Sequence, residues 1–172
     1  MLTKKWLYSS KSDQELIDRF CNDLKIPKLL MEIIFRRGYR TKDKIEKFLY
    51  PNLNNLRDPY ELRKMSEAVN LLKEYIIKER RIIILGDYDV DGITATALMI
   101  EFLSKCGLKN IDFFIPNRIK HGYGLTEAST EVLLEMDPEL VITVDNGITA
   151  INEVKRLNDL GVKIIITDHH LA

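Results

Sequence analysis

The sequence predicts an α/β fold, a parallel sheet with helices on both faces, preceded by a small helical N-terminal region. Three observations carry this. From Arg81 onward, short apolar runs rich in isoleucine and valine (82–85, 111–115, 140–144 and 162–167) alternate with segments of helical length. Such runs, apolar at most positions rather than at every second residue, need cover on both faces, which βαβ units supply. Right-handed crossovers then bring every strand's carboxyl end to one edge. There the sequence turns polar: Asp87-Tyr88-Asp89-Val90-Asp91-Gly92, Pro116-Asn117-Arg118, Asp145-Asn146-Gly147 and Asp168-His169-His170. Ligand sites of open α/β sheets lie at that edge.

Taken in order, residues 12–24 read as a helix, with Ser12 as N-cap, Glu15 at the capping-box position and Leu16, Phe20 and Leu24 at helical spacing. Pro27 opens a second helix through Arg37, closed by Gly38, and Thr41 caps a short third one that stops at Pro51. The turn-rich run 51–59, P-N-L-N-N-L-R-D-P, marks a boundary between a helical extension, 1–58, and a second region, 59–172. A helix is expected over 61–78, with Met65, Val69, Leu72 and Ile76 on one face. The strands are then separated by helices over 93–106, 126–136 (capped by Thr126) and 150–160.

Composition excludes several classes. The 172 residues are 45% hydrophobic and 30% charged, as in ordinary globular chains. No apolar run approaches the roughly 20 residues that span a bilayer. Residues 1–12 carry Lys4, Lys5 and Lys11 without an apolar segment, so no signal peptide is expected. Cys21 and Cys106 stand alone and read as reduced cytosolic thiols. Net charge is zero but unevenly spread. Residues 1–57 hold 13 Lys and Arg against 7 Asp and Glu, and residues 58–172 hold 13 against 19. An acidic site beside a basic flank suits a phosphodiester substrate. A solvated basic helical surface accounts for the charge equally well.

Asp87, Asp89 and Asp91 cannot all lie buried without cations, because unpaired buried charge is too costly. A calcium-loop reading fails: counting from Asp87, position 12 is Leu98, where a bidentate Glu is required. The phosphate-loop and dinucleotide fingerprints are absent. Asp168-His169-His170 is the sharper signal, since imidazole ligates transition metals and a neighbouring carboxylate can orient it. Carboxylates with one or two histidines suit a pair of Mn²⁺ or Mg²⁺ ions, which together clamp a phosphoryl group and activate water.

At this point the chain resembles the DHH phosphoesterase family. G-D-Y-D-V-D-G at 86–92, V-D-N-G-I at 144–148 and T-D-H-H at 167–170 are similar to its first three motifs, in order. P-N-R-I-K-H-G-Y-G-L at 116–125 and F-L-Y-P-N-L-N-N-L-R-D-P-Y at 48–60 are more particular to its single-stranded-DNA exonucleases.

The resemblance implies a DHH-type, Rossmann-like sheet and two bound Mn²⁺ or Mg²⁺ ions. It implies 5′→3′ release of 5′-mononucleotides from single-stranded DNA in repair and recombination. It further implies a cytoplasmic monomer, away from membranes, partnered by single-strand-binding protein and a helicase. On the matching positions, Asp89 would bind one metal and Asp91 the other, and Asp145 would bridge them. His169 would ligate a metal, while His170, with Asp168, would serve catalysis at the scissile phosphate. Asp87 would fill the place of a histidine that many members carry where this chain has Leu85. Arg118 and the Gly122-Tyr123-Gly124 loop would hold substrate phosphate. Asn146 would contact phosphate or shape the turn after its strand.

The family's fourth metal-binding aspartate and second domain lie beyond motif three, and this chain stops at Ala172. Residues 1–172 alone are therefore expected to bind metal weakly and to lack processive nuclease activity. Two other readings stay open: a small DHH phosphodiesterase acting on short oligonucleotides or cyclic dinucleotides, and a non-catalytic scaffold. The helical residues ahead of the first motif favour the exonuclease.

Overall fold

The structure, a computed structural model, describes residues 13–171. Two compact units divide between Pro59 and Tyr60.

The first unit is helical: α1 (Gln14–Leu24), α2 (Lys28–Arg36) and α3 (Lys42–Leu49). Its core is Ile17, Phe20, Ile26, Met31, Ile34, Phe35 and Ile45, all buried, with the Phe20 and Phe35 rings 5.8 Å apart. The expected Ser12 cap lies outside the described residues, and Asp13, at the N-cap position of α1, makes no side-chain cap bond. Thr41 caps α3 as expected, its hydroxyl accepting the Lys44 N–H at 3.4 Å.

The second unit runs α4 (Met65–Ile77), β1 (Ile82–Leu85), α5 (Val90–Lys105), β2 (Ile111–Phe114), α6 (Glu127–Glu135), β3 (Leu140–Val144), α7 (Ile151–Asp159) and β4 (Lys163–Thr167). The four strands are parallel in the order β2-β1-β3-β4, with Ile82 opposite both Ile111 and Leu140. Strand alternation sorts the apolar side chains into two layers. Ile83, Leu85 and Val141 pack with Leu133 of α6 and Leu157 of α7. Ile82, Ile84, Leu140 and Ile142 pack with Leu103 of α5 and with Leu71, Leu72, Tyr75 and Ile76 of α4. Helices therefore cover both faces, and the connections reverse direction between β1 and β3. Ligands of doubly wound sheets bind outside the strand ends at such a reversal.

Three local expectations are corrected. The helix after β1 begins at Val90 rather than Ile93, because the Asp89 carboxylate accepts the Gly92 N–H at 2.9 Å and caps it. That places Asp91 inside the first helical turn. α4 begins at Met65 rather than 61: residues 59–61 form a 3₁₀ turn, and Lys64 takes a left-handed φ of +64°. β2 is an edge strand with Asp112 and Phe113 exposed, so it is not apolar throughout. Among the described residues no helix is long and apolar enough to cross a membrane.

Candidate metal centre

The first wall of the site is the end of β1. A Cβ added to Gly92 would lie 2.5 Å from the Asp87 nitrogen and 2.6 Å from its Cβ and carbonyl oxygen. Only glycine lets the first turn of α5 rest directly on this backbone. Asp87 is 1% exposed, and its Oδ1 is buried without a hydrogen-bond partner. Burial raises its pKa, the Tyr88 N–H works in the opposite direction, and the Asp89 and Asp145 charges raise it further, so the balance is upward. Asp89 is exposed and spends one carboxylate oxygen on the cap of α5. Asp91 is exposed on the same turn and outside the group of close ligand atoms.

The end of β3 supplies the centre. Asp145 adopts φ +64°, a conformation unusual for a non-glycine residue, and such strain often marks function. Its N–H donates to the Thr167 carbonyl at 2.9 Å, tying the ends of β3 and β4 together. Its side chain is 9% exposed, and His169 Nε2 lies 2.9 Å from Oδ1. That approach lacks hydrogen-bond alignment, and Oδ1 has no hydrogen-bond partner.

Asn146 follows at the same strand end. It is fully buried, and its amide nitrogen donates to the carbonyls of Val144 (2.9 Å), Leu85 and Gly86 (both 3.2 Å), fastening β3 to the end of β1. Its Oδ1 is buried without a hydrogen-bond partner. Asn146→Ala is expected to lower stability by about 2 kcal/mol, because buried carbonyls lose their donor; urea denaturation would measure it.

At the end of β4 the Asp168 side chain is 2% exposed and fully engaged. Oδ2 accepts the Ile148 N–H at 3.0 Å, while Oδ1 accepts the His170 N–H at 3.0 Å and lies 2.7 Å from His170 Nδ1. Asp168 thus fixes the ring of His170 and leaves Nε2 free to act. Burial pushes the Asp168 pKa up, but the two backbone N–H groups and the imidazole outweigh it and bring it below its ordinary value. The Asp168 hydrogen bond pulls the His170 pKa above its ordinary 6.5. A raised imidazole pKa stabilises the fold at pH below the unfolded value, and that contribution fades as pH rises through the folded value. A lowered carboxyl pKa stabilises above its unfolded value and fades as pH falls through the folded one. The pair is therefore charged across mildly acidic pH. In metal-free protein, Asp168→Asn is expected to lower the His170 pKa, as followed by imidazole NMR signals.

The loop after β2 forms the rim. Asn117 Oδ1 accepts the N–H groups of Ile119 (3.0 Å) and Lys120 (3.1 Å), and the Asn117 N–H donates to His121 Nδ1 at 2.9 Å. This closed turn presents Arg118 to solvent and, through Gly122 at φ +80°, delivers Tyr123 to the centre. The Tyr123 hydroxyl donates to the Asp145 carbonyl at 3.1 Å and lies 3.4 Å from His170 Nδ1. Burial first, and then the carboxylates of Asp87, Asp145, Asp168 and Asp89, push its pKa up to about 12. Tyr88 meets Tyr123 edge-on at 6.3 Å, and the Arg118 guanidinium lies 5.6 Å from the Tyr88 ring. Sequence reasoning missed Tyr88, Asn117 and His121. The first is hidden between two aspartates that draw the eye, and the other two are motif positions whose work is to shape the loop.

Of the candidate residues, Asp145, His169 and His170 come together, with ligand atoms all within 4.8 Å of one another. Asp87 and Asp89 are their electrostatic neighbours. Two features of these residues fit a metal ion. Buried carboxylate oxygens of Asp87 and Asp145 lack hydrogen bonds. The 2.9 Å gap between His169 Nε2 and Asp145 Oδ1 also matches the ligand–ligand edge of an octahedral ion. That edge is roughly 3 Å for bonds of about 2.1 Å at right angles. Carboxylate oxygen with imidazole nitrogen suits Mn²⁺, and oxygen donors suit Mg²⁺.

Residues 81–172 match the DHH family, N-terminal domain. The chain is 37% identical over 171 residues to the single-stranded-DNA-specific exonuclease RecJ of Bacillus subtilis (strain 168), covering 99% of this chain and 22% of that one. It therefore spans about a fifth of that relative's length. The crystal structure of an exonuclease RecJ bound to manganese is similar at 40% identity and a TM-score of 0.59, over 64% of this chain and 28% of that one. RecJ of Thermus thermophilus in complex with Mn²⁺ is similar at 30% identity and a TM-score of 0.63, over 96% and 22% of the two chains. The family match takes in every strand of the sheet and more than half of the sequence, and the chain belongs to the DHH family.

Proposed function

We propose that this chain is the N-terminal part of a metal-dependent exonuclease that removes 5′-mononucleotides from single-stranded DNA. In this reading residues 1–58 are a helical extension and residues 59–172 the first part of a DHH phosphoesterase domain. The observation that carries it is the Asp145–His169–His170 group, a close set of ligand atoms at the strand-order reversal with buried, unpaired carboxylate oxygens beside it. The exonuclease names of the relatives and the manganese in the similar structures support the choice of chemistry.

Asp145 and His169 hold the metal, with Asp89 and Asp87 completing its acidic surroundings. Bound divalent cations would supply a polarised phosphoryl group and a water made nucleophilic near neutral pH. His170, oriented by Asp168 through Nδ1, presents Nε2 to a phosphoryl oxygen, and its raised pKa favours the donating imidazolium. Arg118 neutralises a substrate phosphate with its guanidinium fork. Tyr123 holds the Asp145 backbone in its left-handed turn. Asp91 ligates a second ion only if its side chain turns from solvent toward the centre. We place the protein in the cytoplasm, in DNA repair and recombination, with single-strand-binding protein and a helicase as partners.

Residues 1–172 are expected to bind Mn²⁺ weakly and to release no run of mononucleotides from end-labelled single-stranded DNA; robust release would overturn this. For the complete protein, faster turnover of dinucleotides than of long single strands would replace the exonuclease with a small-substrate phosphodiesterase. Retained turnover after Asp89→Ala with Asp145→Ala would sink the site assignment.

A further inference from the structure

The helical unit carries a second feature that the metal centre does not use. An open pocket of about 530 Å³ between the end of α2 and the face of α3 is lined by Arg37, Gly38, Tyr39, Lys44, Lys47 and Phe48. No acidic side chain lines it. Over residues 36–47 the chain has six Lys and Arg against two acidic residues. Arg37 and Lys44 make no ion pair among the described residues, and Lys47 pairs only with exposed Asp43 at 3.0 Å, a contact that solvent screens.

Helix stability does not explain this charge. Lys42 and Lys44 occupy the first turn of α3, where a cation opposes the helix dipole. The Tyr39 and Phe48 rings stack at 4.4 Å with 28° between their planes, and Phe48 is 42% exposed. A stacked aromatic pair with an open ring, set among cations that are unpaired or only in a solvent-screened pair, matches how single strands are gripped. Cations track the phosphates, and bases continue the stack.

We propose that this pocket anchors single-stranded nucleic acid, with Arg37, Lys44 and Lys47 on consecutive phosphates and a base against Phe48. The anchor does not depend on the metal centre, so the two can fail separately. The open ring favours a nucleic acid over an anionic membrane or an acidic peptide, which would need only the cations.

The test uses residues 1–172 in EDTA with fluorescein-labelled dT15, read by anisotropy against salt concentration. Arg37→Ala/Lys44→Ala/Lys47→Ala is expected to weaken binding at least tenfold. It should also flatten the plot of log affinity against log salt by about 2, at roughly 0.7 per phosphate contact on single strands. Phe48→Leu should weaken binding about fivefold while leaving that slope unchanged. In the wild type, dT15 should shift the backbone amide signals of residues 37–48, a readout that needs no variant. The triple variant should keep the wild-type Mn²⁺ affinity, which reads the metal centre separately. Unchanged affinity and slope in the triple variant, or amide shifts that leave 37–48 untouched, would overturn the anchor. Equal competition by phosphatidylserine vesicles at matched charge would overturn its preference for single strands.

Discussion

Asp145→Asn is expected to lose Mn²⁺ binding by a hundredfold or more and yet to be more stable than the wild type without metal. Removing an outer partner of a metal site already costs about 10–100-fold in affinity, and Asp145 sits closer than that. The gain in metal-free stability comes from the charge, since the backbone turn is neutral to the change. Asparagine tolerates the left-handed φ of +64° as well as aspartate does, so the turn survives. The substitution removes a nearly buried charge whose Oδ1 has no hydrogen bond and which lies close enough to Asp87 to raise that residue's pKa. Relief of about 1 kcal/mol is expected, the low end of the cost of a buried acceptor left without a hydrogen bond. Calorimetric Mn²⁺ titration and urea denaturation in EDTA read the two effects independently. A variant that binds Mn²⁺ normally and unfolds earlier would make Asp145 a structural residue.

Gly92→Ala separates local propensity from tertiary packing because the two predict opposite signs. In a helix interior, alanine is better than glycine by about 1 kcal/mol. Here the added Cβ would fall 2.5–2.6 Å from Asp87 backbone and Cβ atoms, at the end of a fully buried strand. Neither the strand end nor the helix start can move without disturbing the Asp89 cap. A loss of about 3 kcal/mol is expected, at the upper end of overpacking costs. Mn²⁺ affinity should fall with it, since Asp87 and Asp89 would shift together. A neutral or stabilised variant would mean that α5 is not seated on Asp87.

Much of the fold was legible because its signals are local. Ile82–Leu85 and Leu140–Val144 are apolar at nearly every position, and the structure buries every one of them. The ends of β1, β3 and β4 could be recognised as a site from residue type alone, since charged and imidazole groups follow apolar runs there. β2 was less legible. Ile111–Phe114 contains Asp112, which an edge strand tolerates and a central strand would not.

The sequence by itself determined the alternation of strands and helices, the edge that carries the chemistry and the identities of its candidate ligands. These follow from the period of apolar residues and from the handedness of crossovers. Tertiary structure alone decided which candidates meet. Asp87, Asp89 and Asp91 share an alternate spacing that would place them on one side of an extended chain. The chain stops being extended at Asp89, whose carboxylate caps α5, and the helical turn leaves Asp91 facing solvent. Asn146 stands beside Asp145 in sequence, but it turns inward, where its amide donates to the carbonyls of Leu85 and Gly86, some 60 residues away. Short spacing could not forecast either outcome, since each is fixed by a hydrogen bond that forms only once the strand ends are side by side.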